Sequence, residues 1–454
     1  MYSHRVRELV HGRRITGDCT PLLQGIQYTQ QELGSSPQIF PNLHTVTWET
    51  SEQARTELCG LITFMHDGVR KCTIWCDTSE DPEAVTVLME AIQSRAPFLA
   101  FLDFDFVLEP DLVEPLAIFL ANLPRLTYVK IPSFEDVSRI ISSLSKSCPN
   151  LRTLKIWGNS EERDDIQLES VARIASNRGI EARQKDTFSS LENLTVTVSE
   201  YSTICPLLRQ HDLRSLNSIN LCISPVGEVT GVRTLFQTIS QECPGITYLT
   251  LRWDSYPDDR DDILVFEDIH EILACKKVLD FTFYAPYAFD LTDADAEQIA
   301  LAWPQIQKIV LCPYPIGRTR PVDKLSLYAV FLLTHLCPDL QNVGLCINTR
   351  PINTPQFTID SLPTRRGAEV ADLKSLVVGN FNLHHNDEFD TAELIGKICG
   401  PTCLLEFGID FDEEDEEYEK MEDRWQTVQL LFPRFSRIYS SIRNLEKELW
   451  SLRI

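Results

Sequence analysis

Two pairs of cysteines have spacings that a metal site could use. Cys72 and Cys76 are four residues apart, as are Cys399 and Cys403, and two adjacent histidines lie upstream of the second pair. Thiolates and imidazoles are the ligands that zinc prefers. The first pair, however, has strand spacing and the second brackets a Gly-Pro turn, which favours buried thiols over a zinc site. We therefore expect no metal and no cofactor.

No catalytic motif is present in the sequence. It contains no Gly-x-Gly-x-x-Gly, no phosphate-binding Gly-x-x-x-x-Gly-Lys-Ser/Thr, no Gly-x-Ser-x-Gly and no His-Glu-x-x-His. The nine histidines are scattered, and none has a recognisable spacing from a nucleophile. We predict that the protein is not an enzyme. The alternative is a site assembled only by the fold, for which the sequence gives no signal.

Arginines in two loops of the second half predict an anion-binding patch. Arg318 and Arg320 follow one predicted strand, and the next link contains Arg350, Arg365 and Arg366. Both loops are predicted to leave the same edge of a sheet at neighbouring units. Guanidinium groups bind carboxylate and phosphate bidentately, so such a patch would suit an acidic or phosphorylated peptide. The alternative is that these arginines pair with nearby acidic residues.

The elements that carry these residues belong to a sequence repeat. A unit begins at a junction such as Cys148-Pro149, where proline cannot continue a helix, and goes on with the apolar spacing Leu-x-x-Leu-x-Ile from Leu151 to Ile156. The first apolar position recurs at residues 43, 69, 99, 126, 151, 191, 216, 246, 278, 306, 340, 373, 404 and 435, in steps of 25 to 40 residues. Amphipathic stretches such as 135–147 and 324–336 lie between these positions and predict helices.

This period predicts an α/β leucine-rich-repeat solenoid, or horseshoe, with parallel strands on the concave face and helices on the convex face. Residues 40–435 would form about fourteen irregular units. Residues 1–39 would be an N-terminal cap or leader segment, which contains a degenerate strand pattern at Val6-x-x-Leu9. Residues 436–454 would be a C-terminal capping helix, with an apolar stripe from Ile438 to Leu452.

Strand residues that point away from the helices predict a protein-binding surface, because strand side chains alternate between faces. The predicted set combines aromatic and charged residues, which are the types enriched at interface hot spots. It comprises Phe101, Asp103, Asp105, Tyr128, Lys130, Lys155, Trp157, Tyr248, Arg252, Asp280 and Tyr284. The alternative is an ordinary solvated sheet that carries some aromatic residues.

Composition excludes several classes of function. The chain has 42 basic and 66 acidic residues, a net charge of −24, so binding to nucleic acid or to an anionic membrane is disfavoured. No apolar run reaches the length of a membrane span, and residues 1–10 lack the pattern of a secretory signal. Cys148, Cys243 and Cys337 all precede junction prolines, so they are best interpreted as small buried apolar residues at helix ends. Free buried thiols are typical of a reducing compartment. We expect a cytoplasmic or nuclear protein that is not secreted.

The Cys-Pro-x-Leu-x-x-Leu-x-Ile junction resembles that of F-box and leucine-rich-repeat proteins, particularly the divergent set of mushroom-forming fungi. The opening Tyr2-Ser3-His4-Arg5-Val6-Arg7-Glu8-Leu9 also resembles the segment that joins the F-box to the repeats in that set. The resemblance implies repeats that recruit a protein substrate or peptide. It also implies an F-box that binds a Skp adaptor and a cullin complex, but no F-box pattern precedes Tyr2.

Two interpretations of function follow from this resemblance. The chain is the substrate-recognition part of an SCF-type ubiquitin ligase subunit whose F-box is absent or truncated, or it is a free-standing intracellular scaffold without a ligase link. The Skp adaptor and the cullin complex would be partners only if an F-box lies upstream.

Overall fold

The computed structural model of the protein describes residues 5–12, 39–50, 58, 60–76, 82–105, 110–134, 137–157, 186–198, 201–223, 230–253, 263–285, 287–314, 324–347, 373–379, 383, 387–408 and 416–451. The chain divides into two compact units, Met1–Ser224 and Pro225–Ile454. Each is described by itself. The sequence also predicts a charged insertion at 160–186 and a Pro- and Arg-rich link at 349–367, and except for Asp186 both lie outside the described residues.

The first unit contains one parallel sheet of eight strands. Its strands are, in sheet order, β1 (Glu8–His11), β2 (Thr45–Thr50), β3 (Lys71–Cys76), β4 (Phe101–Asp105), β5 (Tyr128–Pro132), β6 (Thr153–Trp157), β8 (Asn193–Val198) and β10 (Ser218–Ile223). A separate short parallel pair is formed by β7 (Asp186–Thr187) and β9 (His211–Asp212). Helices with both ends in the described part of this unit include α1 (Pro82–Arg95), α2 (Val113–Ala121), α3 (Ser138–Ser147) and α4 (Tyr201–Gln210).

The second unit contains a parallel sheet of six strands. These are β11 (Tyr248–Trp253), β13 (Asp280–Tyr284), β15 (Lys308–Leu311), β16 (Asn342–Leu345), β17 (Ser375–Val378) and β18 (Leu404–Phe407). The short strands β12 (Ile263–Val265) and β14 (Ala288–Asp290) pair with each other. The helices are α5 (Thr230–Glu242), α6 (Phe266–Ile269), α7 (Asp293–Ala302), α8 (Leu327–Leu336), α9 (Glu388–Ile398) and α10 (Glu416–Ser451).

Alternating burial along the strands separates the two faces of each sheet. In β4, Leu102 and Phe104 are fully buried, whereas the residues between and beside them are half-buried. The same alternation holds in β6, where Leu154 and Ile156 are buried. We call the half-buried side the open face. The buried side packs against the helices and forms the core, because apolar side chains of strand and helix leave water together. The prediction of an α/β fold on parallel strands is confirmed.

The predicted junctions are turns held by two backbone hydrogen bonds. At Cys148 the backbone N–H donates to Leu144 O at 2.9 Å, and Leu151 N–H donates to Cys148 O at 3.1 Å. The same pair of bonds recurs at Cys243, Trp303 and Cys337. The first bond closes the last helical turn and the second starts the strand, since the intervening proline has no N–H to donate. The predicted burial of Cys148, Cys243 and Cys337 is confirmed.

The junction residues of the second unit also bond one another from repeat to repeat. Cys275 Sγ lies 3.9 Å from Cys243 O, Trp303 Nε1 donates to Cys275 O at 2.9 Å, and Cys337 Sγ lies 3.5 Å from Trp303 O. We call this series the junction ladder. Trp303 Nε1 satisfies Cys275 O, whereas the thiols add a second donor to Cys243 O and Trp303 O, which already accept from Ile246 N–H and Ile306 N–H. In the first unit, Cys148 Sγ lies 3.6 Å from Leu123 O, the junction residue one repeat earlier.

Two predicted details at the termini differ from the structure. The Phe432-Pro433 junction was predicted to begin a strand at residue 435, which is wrong, because Pro433 lies inside α10 and the helix continues to Ser451. Met421, Trp425, Val428 and Phe432 are buried along one face of this helix, so packing keeps the chain helical through the proline. At the other end β1 pairs with β2 and is a true strand, as the pattern around Leu9 indicated.

The described part of the apolar stripe that was expected on the C-terminal helix is exposed, and the side chains of Leu449 and Leu452 lie outside the described residues. Ile438, Ile442 and Leu445 have exposed fractions of 55%, 44% and 58%. The part of α10 that packs therefore precedes the predicted stripe.

Candidate protein-binding surface

The open face of the first unit brings together the predicted residues of β4, β5 and β6. Parallel register aligns Phe101 with Tyr128, and aligns Asp103 with Lys130 and Lys155. Trp157 lies beside Pro132 in the next row. All of these side chains are half-buried. One compact surface therefore contains seven of the predicted residues, Asp105 included.

Two stacked aromatic rings form the centre of this surface. The rings of Phe101 and Tyr128 are parallel within 6°, and their centroids are 4.0 Å apart. Lys71 Nζ lies 4.5 Å from the centroid of Phe101, and Lys155 Nζ lies 5.7 Å from that of Tyr128. Ammonium groups are attracted to the faces of such rings. We call these four residues the aromatic step.

A lysine and two aspartates lie directly beside the aromatic step. Lys130 Nζ donates to Asp105 Oδ2 at 2.5 Å and lies 3.7 Å from Asp103 Oδ1. Asp103 Oδ1 is buried and accepts no hydrogen bond from a described residue. Burial raises the pKa of Asp103, and Lys130 opposes part of that effect. Burial, together with the two aspartates, raises the pKa of Tyr128 to about 12, so the phenol stays neutral and can donate a hydrogen bond to a ligand.

Two residues of this surface were missed by the sequence reasoning. Lys71 and Trp75 lie on β3, next to Phe101 and Asp105, and the exposed fraction of Trp75 is 45%. The alternation that selected Phe101 and Asp105 on β4 applies equally to β3, so the signal was present. The surface consequently covers four neighbouring strands.

The second unit holds a smaller group of predicted residues. Tyr248 aligns with Asp280, and Arg252 aligns with Tyr284. Tyr248 has an exposed fraction of 48%, whereas Tyr284 is half-buried with the Arg252 guanidinium 6.0 Å from its ring centroid. Asp280 accepts a hydrogen bond from Thr282 and lies 3.7 Å from Lys308. This group is largely satisfied internally, which makes it the less available of the two surfaces.

A three-residue strap, Cys312–Tyr314, covers part of the same face. Cys312 has a φ of 41°, in the left-handed region that non-glycine residues rarely adopt, and it turns the chain off β15. A Cβ on Gly379 would overlap the carbonyl of Pro313, and one on Gly408 would lie 2.9 Å from Tyr314 Cζ and closer still to the ring edge. The strap therefore crosses the ends of β17 and β18, where only glycine leaves room.

An exposed carboxylate, Glu406, acts electrostatically on two half-buried phenols at the strap. Burial raises the pKa of Tyr314 to about 12, with smaller contributions from Glu406 and Tyr284. Burial likewise raises the pKa of Tyr284, with Arg252 opposing and Glu406 adding to the effect. Both phenols therefore stay neutral and can donate hydrogen bonds.

The predicted arginine patch falls outside the described residues, as do His384 and His385. This holds for Arg318, Arg320, Arg350, Arg365 and Arg366, so that patch stays a prediction. Among the residues that are described, no three His, Cys, Asp or Glu side chains cluster as a metal site would require. Cys72, Cys399 and Cys403 are buried free thiols. Within the described part of the chain, no helix combines the length and the apolar character needed to cross a bilayer.

The fold and this surface define a repeat-built α/β protein with one open sheet face per unit. No protein-family model and no curated protein matches the sequence. Among solved structures, the chain has a remote similarity to the crystal structure of the Rad7 and Elc1 complex in yeast. That similarity covers 76% of this chain and 72% of the other, with 13% sequence identity and a TM-score of 0.37. At this level it assigns neither a fold nor a function.

Proposed function

We propose that the protein is an interaction module of the leucine-rich-repeat class that binds a partner protein on the open face of its first unit. The observation that carries the proposal is the aromatic step. Its two rings are half-buried and parallel, Lys71 and Lys155 lie over them, and all four side chains are on the open face of the sheet. Stacked rings offer a large apolar area with little conformational freedom to lose on binding. We propose no catalytic activity.

The finer proposal is that this module selects substrates for an SCF-type ubiquitin ligase. It rests on the resemblance of the Cys-Pro junctions and of the segment Tyr2 to Leu9 to F-box and leucine-rich-repeat proteins. The second candidate is a scaffold without a ligase link. Co-purification of the full-length cellular protein with a Skp adaptor separates the two, since a scaffold has no reason to retain the adaptor.

The test of the binding surface compares two double variants in affinity capture followed by mass spectrometry. Phe101→Ala with Tyr128→Ala removes the aromatic step. Val87→Ala with Ile118→Ala is the matched control, because both side chains are exposed, at 51% and 56%, on helices of the same unit. We expect partners held by the wild type to be lost from the first variant and retained by the second.

Capture of the same partners by both variants would show that the aromatic step is ordinary sheet surface. Circular dichroism and thermal unfolding of both variants establish that any loss of binding is not a loss of folding. Truncation of the exposed control pair should change stability little, whereas the stacked pair should cost somewhat more.

A further inference from the structure

A cluster of cations lies at the amino end of the strands in the first unit, beside the aromatic step. Phe98, with an exposed fraction of 36%, carries the guanidinium of Arg125 at 4.4 Å and that of Arg70 at 5.4 Å from its ring centroid. Arg70 precedes β3, Phe98 precedes β4 and Arg125 precedes β5. These strands are neighbours in the sheet, so the ring lies between the two arginines. Lys71 follows Arg70 directly. We call Arg70, Lys71, Phe98 and Arg125 the arginine edge.

The cations of the arginine edge lack carboxylate partners among the described residues. Arg125 makes only its contact with Phe98, and Arg70 donates to the backbone oxygens of Asp67 and Val69. Elsewhere in the unit, Arg139 pairs with Glu114, and Arg152 lies 3.9 Å from Glu192. On a chain with a net charge of −24, an unneutralised group of three cations is unusual.

The ring contact gives the two arginines a defined direction. A guanidinium held against a phenyl ring keeps its N–H groups in its own plane, where they remain available for an anion. Arg125 has all five N–H donors uncommitted, and Arg70 commits only one terminal nitrogen. Two partly ordered guanidinium groups on either side of one ring suit an anionic group that accepts several hydrogen bonds.

We propose that the arginine edge binds an acidic segment of the partner protein through a carboxylate or phosphate group. A neighbouring aromatic or apolar residue of that segment then rests on the aromatic step. Lys71 belongs to both surfaces, because its ammonium lies over Phe101 while its backbone continues from Arg70. This inference rests on the proposed function and names the chemistry of the segment that the open face selects.

The test measures fluorescence anisotropy of short labelled peptides with the full chain. One peptide has glutamates around a single tyrosine, the second replaces the glutamates by phosphoserines, and the third replaces them by glutamines. The first two distinguish a carboxylate from a phosphate ligand, and the third reports binding that needs no anion. We expect the wild type to bind at least one anionic peptide. Its affinity for the glutamine peptide should be lower by a factor of at least about ten.

Two double variants each remove two positive charges, one pair at the arginine edge and the other pair elsewhere in the same unit. Arg70→Gln with Arg125→Gln removes both guanidinium groups of the arginine edge, and Arg139→Gln with Arg214→Gln removes two exposed arginines of the same unit that pair with acids. We expect about a tenfold loss of anionic-peptide affinity in the first and less than about a twofold change in the second. Arg70→Lys with Arg125→Lys keeps the charge and should still weaken binding, because lysine lacks the bidentate geometry.

Three results would overturn the proposal: no binding of either anionic peptide by the folded wild type, equal losses in the two glutamine variants, or tighter binding of an oligothymidylate than of both peptides. If these occur while partner capture still depends on Phe101 and Tyr128, the aromatic step remains a binding surface and only its anionic ligand is refuted. If capture is also insensitive to the aromatic step, both proposals fail.

Discussion

The strap of the second unit predicts that Gly408→Ala changes the unfolding free energy in opposite directions with and without the Tyr314 ring. Gly408→Ala places a methyl group inside van der Waals distance of the Tyr314 ring, whose Cζ would be only 2.9 Å away. The ring must retreat by about 1 Å or more to reach an ordinary contact of about 3.5 Å. Overpacking of this kind costs about 1–3 kcal/mol of unfolding free energy. We expect Gly408→Ala to destabilise the wild type by that amount.

The same substitution should be harmless once the ring is gone. In a Tyr314→Ala background the space is open, and Gly408→Ala should then stabilise by about 0.4–1 kcal/mol, since the unfolded chain loses freedom. Gly379→Ala is the matched control, because its Cβ would overlap the backbone of Pro313, which Tyr314→Ala leaves in place. Gly379→Ala should therefore remain destabilising in both backgrounds.

Urea unfolding of the double-mutant cycle, followed by circular dichroism, measures these differences. An interaction energy above about 1.4 kcal/mol between positions 408 and 314 is expected from the two estimates. A value below about 0.5 kcal/mol would show that the ring does not rest on Gly408. Rescue of Gly379→Ala by Tyr314→Ala would show that the strap lies elsewhere.

Three further predictions concern the core, the junction ladder and the charged group. Leu154→Ala should cost about 2–5 kcal/mol in thermal or urea unfolding, because Leu154 is only 1% exposed. Trp303→Phe should cost about 1–3 kcal/mol, since it leaves Cys275 O without its buried donor, and an unchanged midpoint would refute the ladder. Burial raises the pKa of Asp103 above its ordinary 3.8, so the carboxyl group binds a proton more readily in the native state than in the unfolded state. The unfolding free energy should therefore fall as the pH rises from about 3.8 through the native pKa. Asp103→Asn removes this slope, so its unfolding free energy minus that of the wild type should increase between about pH 4 and pH 7; a constant difference would contradict the raised pKa.

The strands and their faces were predictable because one pattern specifies both. The spacing from Leu151 to Ile156 identified the buried side of β6, and the same alternation placed Phe101 and Tyr128 on the open face. A local period suffices here, since strand side chains alternate whatever the neighbouring strand contains. Parallel register then follows from stacking equivalent units.

The end of the repeat was not predictable from a local pattern. Pro433 follows an aromatic residue, as Pro41 and Pro304 do, but Trp425 and Phe432 pack along a helix that continues through it. A junction signal indicates a helix end only where the following residues gain more by pairing as a strand than by continuing the helix. The spacing of residues in the sequence does not show which of these two conformations has the lower free energy.

The strap and the arginine edge depend on contacts between distant repeats. Gly379 and Gly408 are ordinary glycines in the sequence, and only the path of Cys312 to Tyr314 explains them. Arg70, Phe98 and Arg125 occupy variable positions of three units and meet because the units stack in register. No periodic signal identifies such a set, since the period constrains the buried residues and leaves the exposed ones free.

The junction thiols of Cys148, Cys275 and Cys337 can report local unfolding of the repeats that contain them. Burial raises the pKa of Cys148 and Cys275 to about 11 and that of Cys337 to about 12, so almost no thiolate exists at neutral pH in the closed state. A thiol-alkylating reagent therefore reacts only when the turn around a given cysteine opens. The rates at these three positions, read by mass spectrometry on the unmodified protein, would give a residue-specific profile of local unfolding along the chain without any engineered label.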